Sequence, residues 1–373
     1  MRGWPKRSLG EVAKFVNGRA FKPSDWSSKG VPIVRIQNLT NTAAPINRFE
    51  GAYDERHSVR DGTLLVSWSA TLDVFIWDRG DAILNQHIFK VIPDPSQVSK
   101  SYLFYALKSA MDELRSKTHG TTMKHITKGP FERTEISVPP LEEQARIVAM
   151  LDDAEMLRKL RAKADQRATD LIPAMFHQMF GKSKPDGRQR WPRKKVNQVV
   201  ELINGRAFKP SEWSKSGLPI IRIQNLKDPN ARLNFFDGHV EPKHVITKGN
   251  LLISWAGQLV SFGVHIWDGS KGVLNQHIFK VEPKVDFEIE FLRYALDRVV
   301  EEAKAHFQGS EMKHLTKGTL DNATIVIPPI SLQQEFATFA AEIRALKEQQ
   351  GKSRCRLEGL FQSMLHDAFS GVL

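Results

Sequence analysis

Only one of the chain's 373 residues is cysteine, Cys355. That excludes an internal disulfide and a cysteine-rich zinc site, and it fits a reducing cytoplasm, where the protein is expected to work. Long apolar runs are missing as well. None approaches the roughly 18 residues of a spanning helix, and none follows Arg2, Lys6 and Arg7 as it would in a secretory leader. Catalytic motifs are the third absence. Gly181-Lys182-Ser183 and Gly351-Lys352-Ser353 end like a phosphate loop, but Phe176 and Leu346 stand where its first glycine belongs. No glycine-rich dinucleotide fingerprint follows a strand pattern, and no histidine pair has zinc spacing. The Asn-Pro-Pro or Asp-Pro-Pro aromatic motif of an amino-methyltransferase is absent, and Pro185-Asp186 lacks the acid-x-Lys partner of a nuclease. Neither a catalytic residue nor a metal site is expected in this chain.

What is present begins with charge. Lys plus Arg number 54 against 42 Asp plus Glu, a formal excess of +12, in a chain 41% hydrophobic and 26% charged. This is a globular composition biased towards a polyanionic partner, and the missing apolar runs turn that bias from membrane to nucleic acid.

The chain also says most of its content twice. Residues 17–39 return as 204–226, 187 positions on, identical at 18 of 23 places. Trp4-Pro5 recurs as Trp191-Pro192, LNQHIFKV stands unchanged at 84–91 and 274–281, and 123–129 matches 312–318. Solenoid units run about 20–50 residues, so this period is a whole domain with a tail. Two similar heads are expected, 1–140 and 191–329, rich in short β-branched runs that read as strands, with helical stretches between.

Each head ends at a Pro-Pro pair, Pro139-Pro140 or Pro328-Pro329, which stops a strand. Apolar residues then fall at three- and four-residue steps, as in Leu151, Ala154, Leu157, Leu160, Ala164 and Ala168. The spacing predicts long amphipathic helices over 141–180 and 330–373, with a polar linker at 181–190. Pro173 is expected to kink or break the first helix, and Gly351 to interrupt the second more softly. The fold class is α+β: two similar mixed α/β heads separated by two long helices.

Polar side chains capable of reading DNA recur on the loops of both heads. In the first they are Asn17, Arg19, Lys22, Arg35, Gln37, Asn38, Gln86, His87, Lys124, His125 and Lys128. In the second they are Asn204, Arg206, Lys209, Arg222, Gln224, Asn225, Gln276, His277, Lys313, His314 and Lys317. Arg pairs with guanine and Asn or Gln with adenine through two hydrogen bonds, whereas Lys holds phosphate without reading sequence. Arg35-Ile36-Gln37-Asn38 is read as strand, with Arg and Gln on one face. Each residue has a duller explanation: an arginine paired with a carboxylate, an Asn capping a turn, a His in the core. Trp26, Trp68, Trp77, Trp213, Trp255 and Trp267 are read as core. Residues 40–60 and 227–247 look almost unrelated.

The order of motifs carries a resemblance. Gly-x-x-Met-Lys-His-x-Thr-Lys-Gly precedes Pro-Pro-Leu-Glu-Glu-Gln at 139–144 and Pro-Pro-Ile-Ser-Leu-Gln at 328–333. In this the whole chain resembles the DNA-specificity subunits of type I restriction-modification systems. The resemblance implies two target-recognition domains and spacer helices packed as an antiparallel coiled coil with a pseudo-twofold. It implies no cofactor in this chain: S-adenosylmethionine, ATP and magnesium belong to partners. Those partners are two copies of an adenine methyltransferase subunit, a restriction and translocase subunit, and double-stranded DNA. A pseudo-twofold with near-identical heads implies a bipartite, near-palindromic target. Two other classes stay open on the residues alone, a stand-alone DNA-acting enzyme and a helical adaptor bridging two proteins.

Overall fold

The structure, a computed structural model, describes residues 4–69, 71–117, 127–181, 190–228, 230–257, 259–305 and 315–370. The first half runs β1 (Lys6–Ser8), α1 (Leu9–Val12), β2 (Ala13–Asn17), β3 (Val31–Val34), α2 (Ile36–Thr40), β4 (Arg48–Phe49), β5 (Ser58–Val59) and β6 (Leu64–Ser67). It continues with β7 (Asp73–Ile76), β8 (Ala82–Leu84), β9 (Ile88–Pro93), α3 (Lys100–Lys117), α4 (Lys128–Glu132), β10 (Glu135–Ser137) and α5 (Leu141–Phe176). The second half repeats the order: β11 (Arg193–Lys195), α6 (Val196–Val199), β12 (Val200–Asn204), β13 (Leu218–Ile221), α7 (Ile223–Lys227), β14 (Asn234–Phe236), β15 (Val245–Ile246) and β16 (Leu251–Ser254). Then come β17 (Gly263–Ile266), β18 (Gly272–Leu274), β19 (Ile278–Pro283), α8 (Ile289–Ala305), α9 (Lys317–Asn322), β20 (Thr324–Val326) and α10 (Ile330–Ser370).

The chain forms two compact units, and their borders cut across the long helices. Unit 1 is Met1–Lys163 with Gly351–Leu373; unit 2 is Ala164–Gln350. In unit 1 an antiparallel sheet of order β2-β9-β6-β7 is the middle layer. A mixed sheet, β4-β3-β8-β5, covers one face, with β3 and β8 parallel. Helices cover the other. Alternation along β6 shows why: Leu64 and Val66 join α3 and the helix ends, while Leu65 packs with Val34 and Leu84 of the outer layer and with Trp77, which follows β7. All four β6 residues are buried, as expected of a strand covered on both faces. Unit 2 repeats this, with Leu251 and Ile253 facing helices and Leu252 facing Ile221, Ile246 and Leu274.

The helical layer of each unit is shared between distant parts of the chain. Phe361, Leu365 and Ala368 of α10 are buried in the unit 1 core, and Ile172, Phe176 and Phe180 in that of unit 2. Within unit 1 the two helices run antiparallel. Arg158 of α5 pairs with Glu358 at 2.8 Å and lies over the Phe361 ring, while Ser137, just before α5, donates to the Phe369 carbonyl at 3.1 Å. In unit 2, Phe336 near the start of α10 meets Phe176 and Phe180 near the end of α5. The glutamine of each Pro-Pro motif fastens its helix to its head. Gln144 is fully buried, accepts from Ser99 N at 2.8 Å, and donates to Gln97 and Pro139 carbonyls. Gln333 likewise accepts from Glu288 N at 3.0 Å and donates to the Pro328 carbonyl.

Two expectations about the helices need correction. Pro173 does not break α5, which continues to Phe176 before a π-helical turn at His177–Gly181. The lost backbone bond is offset by burial of Ile172, Phe176 and Phe180 around it. Gly351 does not interrupt α10, which is helical throughout Ile330–Ser370.

Truncation after Gln350 is expected to loosen unit 1, although it removes residues that follow unit 2 in sequence. Phe361→Ala alone should cost about 3–5 kcal/mol. Hydrogen exchange should report the loss in β6, β9 and α3; a loss confined to unit 2 would contradict this packing. Gly351→Ala, with open space around the added methyl, should raise stability by about 0.5–1 kcal/mol in thermal unfolding.

Candidate nucleic-acid interface

Strand direction gathers the polar loops of each head. In the antiparallel middle sheet of unit 1, β2 and β6 end where β9 and β7 begin. The parallel pair β3 and β8 also ends on the segments Arg35 and Asn85-Gln86-His87. The loops 17–30, 35–40 and 85–87, with Thr71, therefore meet at one rim. They enclose an open cavity of about 430 Å³ lined by Phe21, Trp26, Arg35, Gln37, Gln86 and His87, with Thr40, Thr71 and Asn85 among its other walls.

The Asn-Gly-Arg turn is built against the backbone of the next loop. Gly18 N donates to the Ile88 carbonyl at 3.1 Å and Arg19 N to the Leu84 carbonyl at 2.8 Å. A β-carbon on Gly18 would stand 2.2 Å from the Asn85 carbonyl oxygen, and one on Gly205 would stand 2.1 Å from that of Asn275. Glycine is required by close approach. Asn17 and Asn204 have exposed side chains, and their carbonyls meet His57 Nδ1 at 3.0 Å and His244 Nδ1 at 2.9 Å.

The turn delivers an arginine into a pair of phenylalanine rings. Arg19 lies over Phe21 and Phe49, its Cζ 5.2 and 4.3 Å from the ring centres, and donates to the Ala52 carbonyl at 3.3 Å. Arg206 lies over Phe208 and Phe236 at 4.7 and 4.6 Å and pairs with Glu212 at 2.5 Å. Backbone bonds to Lys209, then Arg206, hold the Glu212 carboxyl below the usual range. Lys22 and Lys209 are exposed, and their backbone amides donate to Asp25 and Glu212 at 2.7 and 2.8 Å.

Arg35 and Arg222 form the second fixed pair. Each is half-buried beside a tryptophan, 5.2 Å from Trp26 and 5.4 Å from Trp213, and each donates to an asparagine, Asn47 at 3.2 Å and Asn234 at 2.8 Å. Gln37 and Gln224 are exposed, as is Gln276, while Gln86 is half-buried with its side-chain oxygen 3.4 Å from Phe21 N. His87 and His277 lean on Trp68 and Trp255, with ring centres 5.4 and 5.6 Å apart, and their Nδ1 atoms are buried with no hydrogen-bond partner among the described residues.

Several expectations change here. Arg35-Ile36-Gln37-Asn38 is not strand: Arg35 precedes the helical turn α2, and Arg222 precedes α7. Asn38 and Asn225 are withdrawn as base readers. They are 0% and 6% exposed, accept from Arg35 N at 3.2 Å and Arg222 N at 3.0 Å, and donate to the Pro45 and Ala231 carbonyls. Lys128 and Lys317 sit at the starts of α4 and α9; Lys128 is outside the lining of the first head's cavity and reaches Glu132 at 3.5 Å. Lys124, His125, Lys313 and His314 lie outside the described residues. Of the tryptophans, Trp77 is core at 1% exposure, but Trp26 and Trp213 stand 41% and 40% exposed.

Phe21, Trp26, Phe49, Thr40 and Thr71 are rim residues that polar-residue reasoning passes over. Phe21 and Trp26 fall inside the repeated segment, which was a usable signal. The segments that look unrelated hide another: Asn47 and Asn234, Phe49 and Phe236, Gly51 and Gly238, and His57 and His244 all keep the 187-residue offset. Those are the positions that hold the arginines and the turn. Thr71 has no such signal, since its loop is three residues shorter than the one in the second head.

Two heads with one rim design, each closed by helices of the other half, define a paired recognition protein. The family model for the type I restriction modification DNA specificity domain matches residues 1–166 and 189–350. The chain belongs to that family, and its role is that of a specificity subunit. It is 24% identical to the EcoBI type I restriction enzyme specificity subunit of Escherichia coli, over 99% of this chain and 86% of the relative. It is also 24% identical to the MjaVIII specificity subunit of Methanocaldococcus jannaschii, over 99% and 93%. Its fold matches a solved chain from a study of type I restriction-modification assembly and conformational transition, with TM-score 0.66, 20% identity, and 99% and 98% of the two chains covered. A specificity subunit from M. genitalium matches with TM-score 0.55 at 16% identity, over 98% and 96%.

Gly18→Ala and Gly205→Ala are expected to cost about 1–3 kcal/mol by overpacking and to displace the neighbouring arginine. Chemical unfolding measures the first effect. Loss of target binding in soluble variants measures the second.

Proposed function

We propose that the chain is the sequence reader of a methyltransferase and restriction complex and performs no chemistry of its own. The observation that carries this is the rim built twice, with Arg19, Arg35, Gln37 and Gln86 answered by Arg206, Arg222, Gln224 and Gln276. Arginine and glutamine can each form paired hydrogen bonds to a base edge in the major groove, at about 1–3 kcal/mol of discrimination per contact. The excess of lysine plus arginine over acidic residues supplies phosphate affinity that falls with salt. Trp26 and Trp213 add exposed aromatic faces beside those arginines.

The partners in this reading are two methyltransferase subunits that methylate adenine N6 and one restriction subunit, acting on DNA in the cytoplasm. No described helix is long and apolar enough to cross a membrane. On α5, Met156, Leu157 and Leu160 remain more than half exposed, a surface suited to a protein partner. S-adenosylmethionine, ATP and magnesium act in those partners. Because the rims share their readers, the target in this reading is bipartite and near-palindromic.

Mapping methylated adenines in cells that express the complete system tests this reading. The expected site is an interrupted inverted repeat whose halves agree except at an edge. Two unrelated half-sites would reject the near-palindrome, and turnover of DNA by the purified chain with S-adenosylmethionine or magnesium would reject the non-catalytic role.

A further inference from the structure

The two rims differ in one detail that their shared template makes legible. Asp25 and Glu212 occupy the same place, the last residue of a single 3-10 turn, Pro23–Asp25 and Pro210–Glu212. Both carboxylates cap the turn in the same way, accepting from Lys22 N at 2.7 Å and Lys209 N at 2.8 Å. Asp25 stops there. Glu212 is one methylene longer, so while Oε2 caps the turn, Oε1 reaches the Arg206 guanidinium at 2.5 Å. Arg19, in the matching position, turns to the Ala52 carbonyl and has no carboxylate partner among the described residues.

The surroundings make this difference matter. Arg206 is held between Phe208 and Phe236, with its side chain and that of Glu212 only 33% and 29% exposed. A pair shielded to that degree keeps more of its mutual attraction than a solvated one. The guanidinium of Arg206 thus presents a fixed direction and little net charge, whereas that of Arg19 presents a full positive charge.

We propose that Glu212 is a positioning residue that holds Arg206 and cancels its charge at the second rim, so that two heads of one design grip DNA unequally. This rests on the reading of the rims as DNA-contacting. Asp25 and Glu212, rather than the shared arginines, set how strongly each half-site is held by charge. The first head anchors the complex electrostatically. The second relies more on the direction in which its arginine points.

A reciprocal swap tests the proposal. Target binding by the complex with its methyltransferase subunit is measured across a salt series for the unaltered protein, Asp25→Glu, Glu212→Asp, Arg19→Ala and Arg206→Ala, the last also in the Glu212→Asp background. Each phosphate contact contributes about 0.9 to the slope of log K against log salt. Glu212→Asp should steepen the slope by about one contact, and Asp25→Glu should flatten it by the same amount. Arg19→Ala should flatten it in the unaltered protein, whereas Arg206→Ala should do so only once Glu212 has been shortened. Either acid caps the turn, so both swaps should leave the turn folded, with thermal unfolding shifted by no more than the one ion pair lost or gained. If Arg19→Ala flattens the slope but neither swap moves it, the role of Glu212 is wrong and the DNA-contacting rim stands. If no arginine variant moves the slope in any background, the rim does not touch DNA and both readings fall.

Discussion

The middle sheet of each unit is buried on both faces, and one of those faces is covered by helix ends drawn from the other half of the chain. This constraint organises the rest. Phe361, Leu365 and Ala368 complete a core whose strands begin some 350 residues earlier in sequence, and Phe176 and Phe180 complete the other. Burying one such side chain fully contributes about 1.5–3 kcal/mol, so neither unit reaches its packing without the exchange. The long helices are therefore part of two cores as well as connectors. The buried Gln144 and Gln333 fix where each helix leaves its head.

With the sheet held on both faces, its ends become a rigid platform for loops. The antiparallel middle sheet brings four strand ends to one rim, and the parallel pair of the outer sheet adds two more. Close backbone contact at Gly18 and Gly205 then sets each following arginine in place. Stacking on phenylalanine and tryptophan restrains the guanidinium groups before any ligand arrives, which reduces the ordering cost of a polar contact. The rim thus combines preorganised arginines with freer glutamines such as Gln37, Gln224 and Gln276.

Much of this was legible in the chain itself. The repeat announced two heads, the Pro-Pro pairs marked the starts of the long helices, and the motif order pointed to the family. Individual roles were less legible. Asn38 looked like a reader because it sits beside Gln37 in a repeated segment, yet its amide is consumed in capping a turn. Trp26 looked like core because tryptophan usually is. Asn47 and Phe49 were invisible inside a divergent stretch until their contacts with Arg35 and Arg19 showed why the 187-residue offset persists there.

Local pattern and repetition belong to the sequence, and from them came the number of heads, their α and β content, the helical tails and the polar character of the loops. Contacts between residues far apart in the chain belong to the tertiary structure. Only it decided which helix end closes which core, which polar side chains remain exposed at the rim, and that one methylene separates an arginine without a carboxylate partner among the described residues from a paired one. The reason is physical. Periodicity reports which face of an element is buried, but the identity of the partner on that face depends on how distant segments pack.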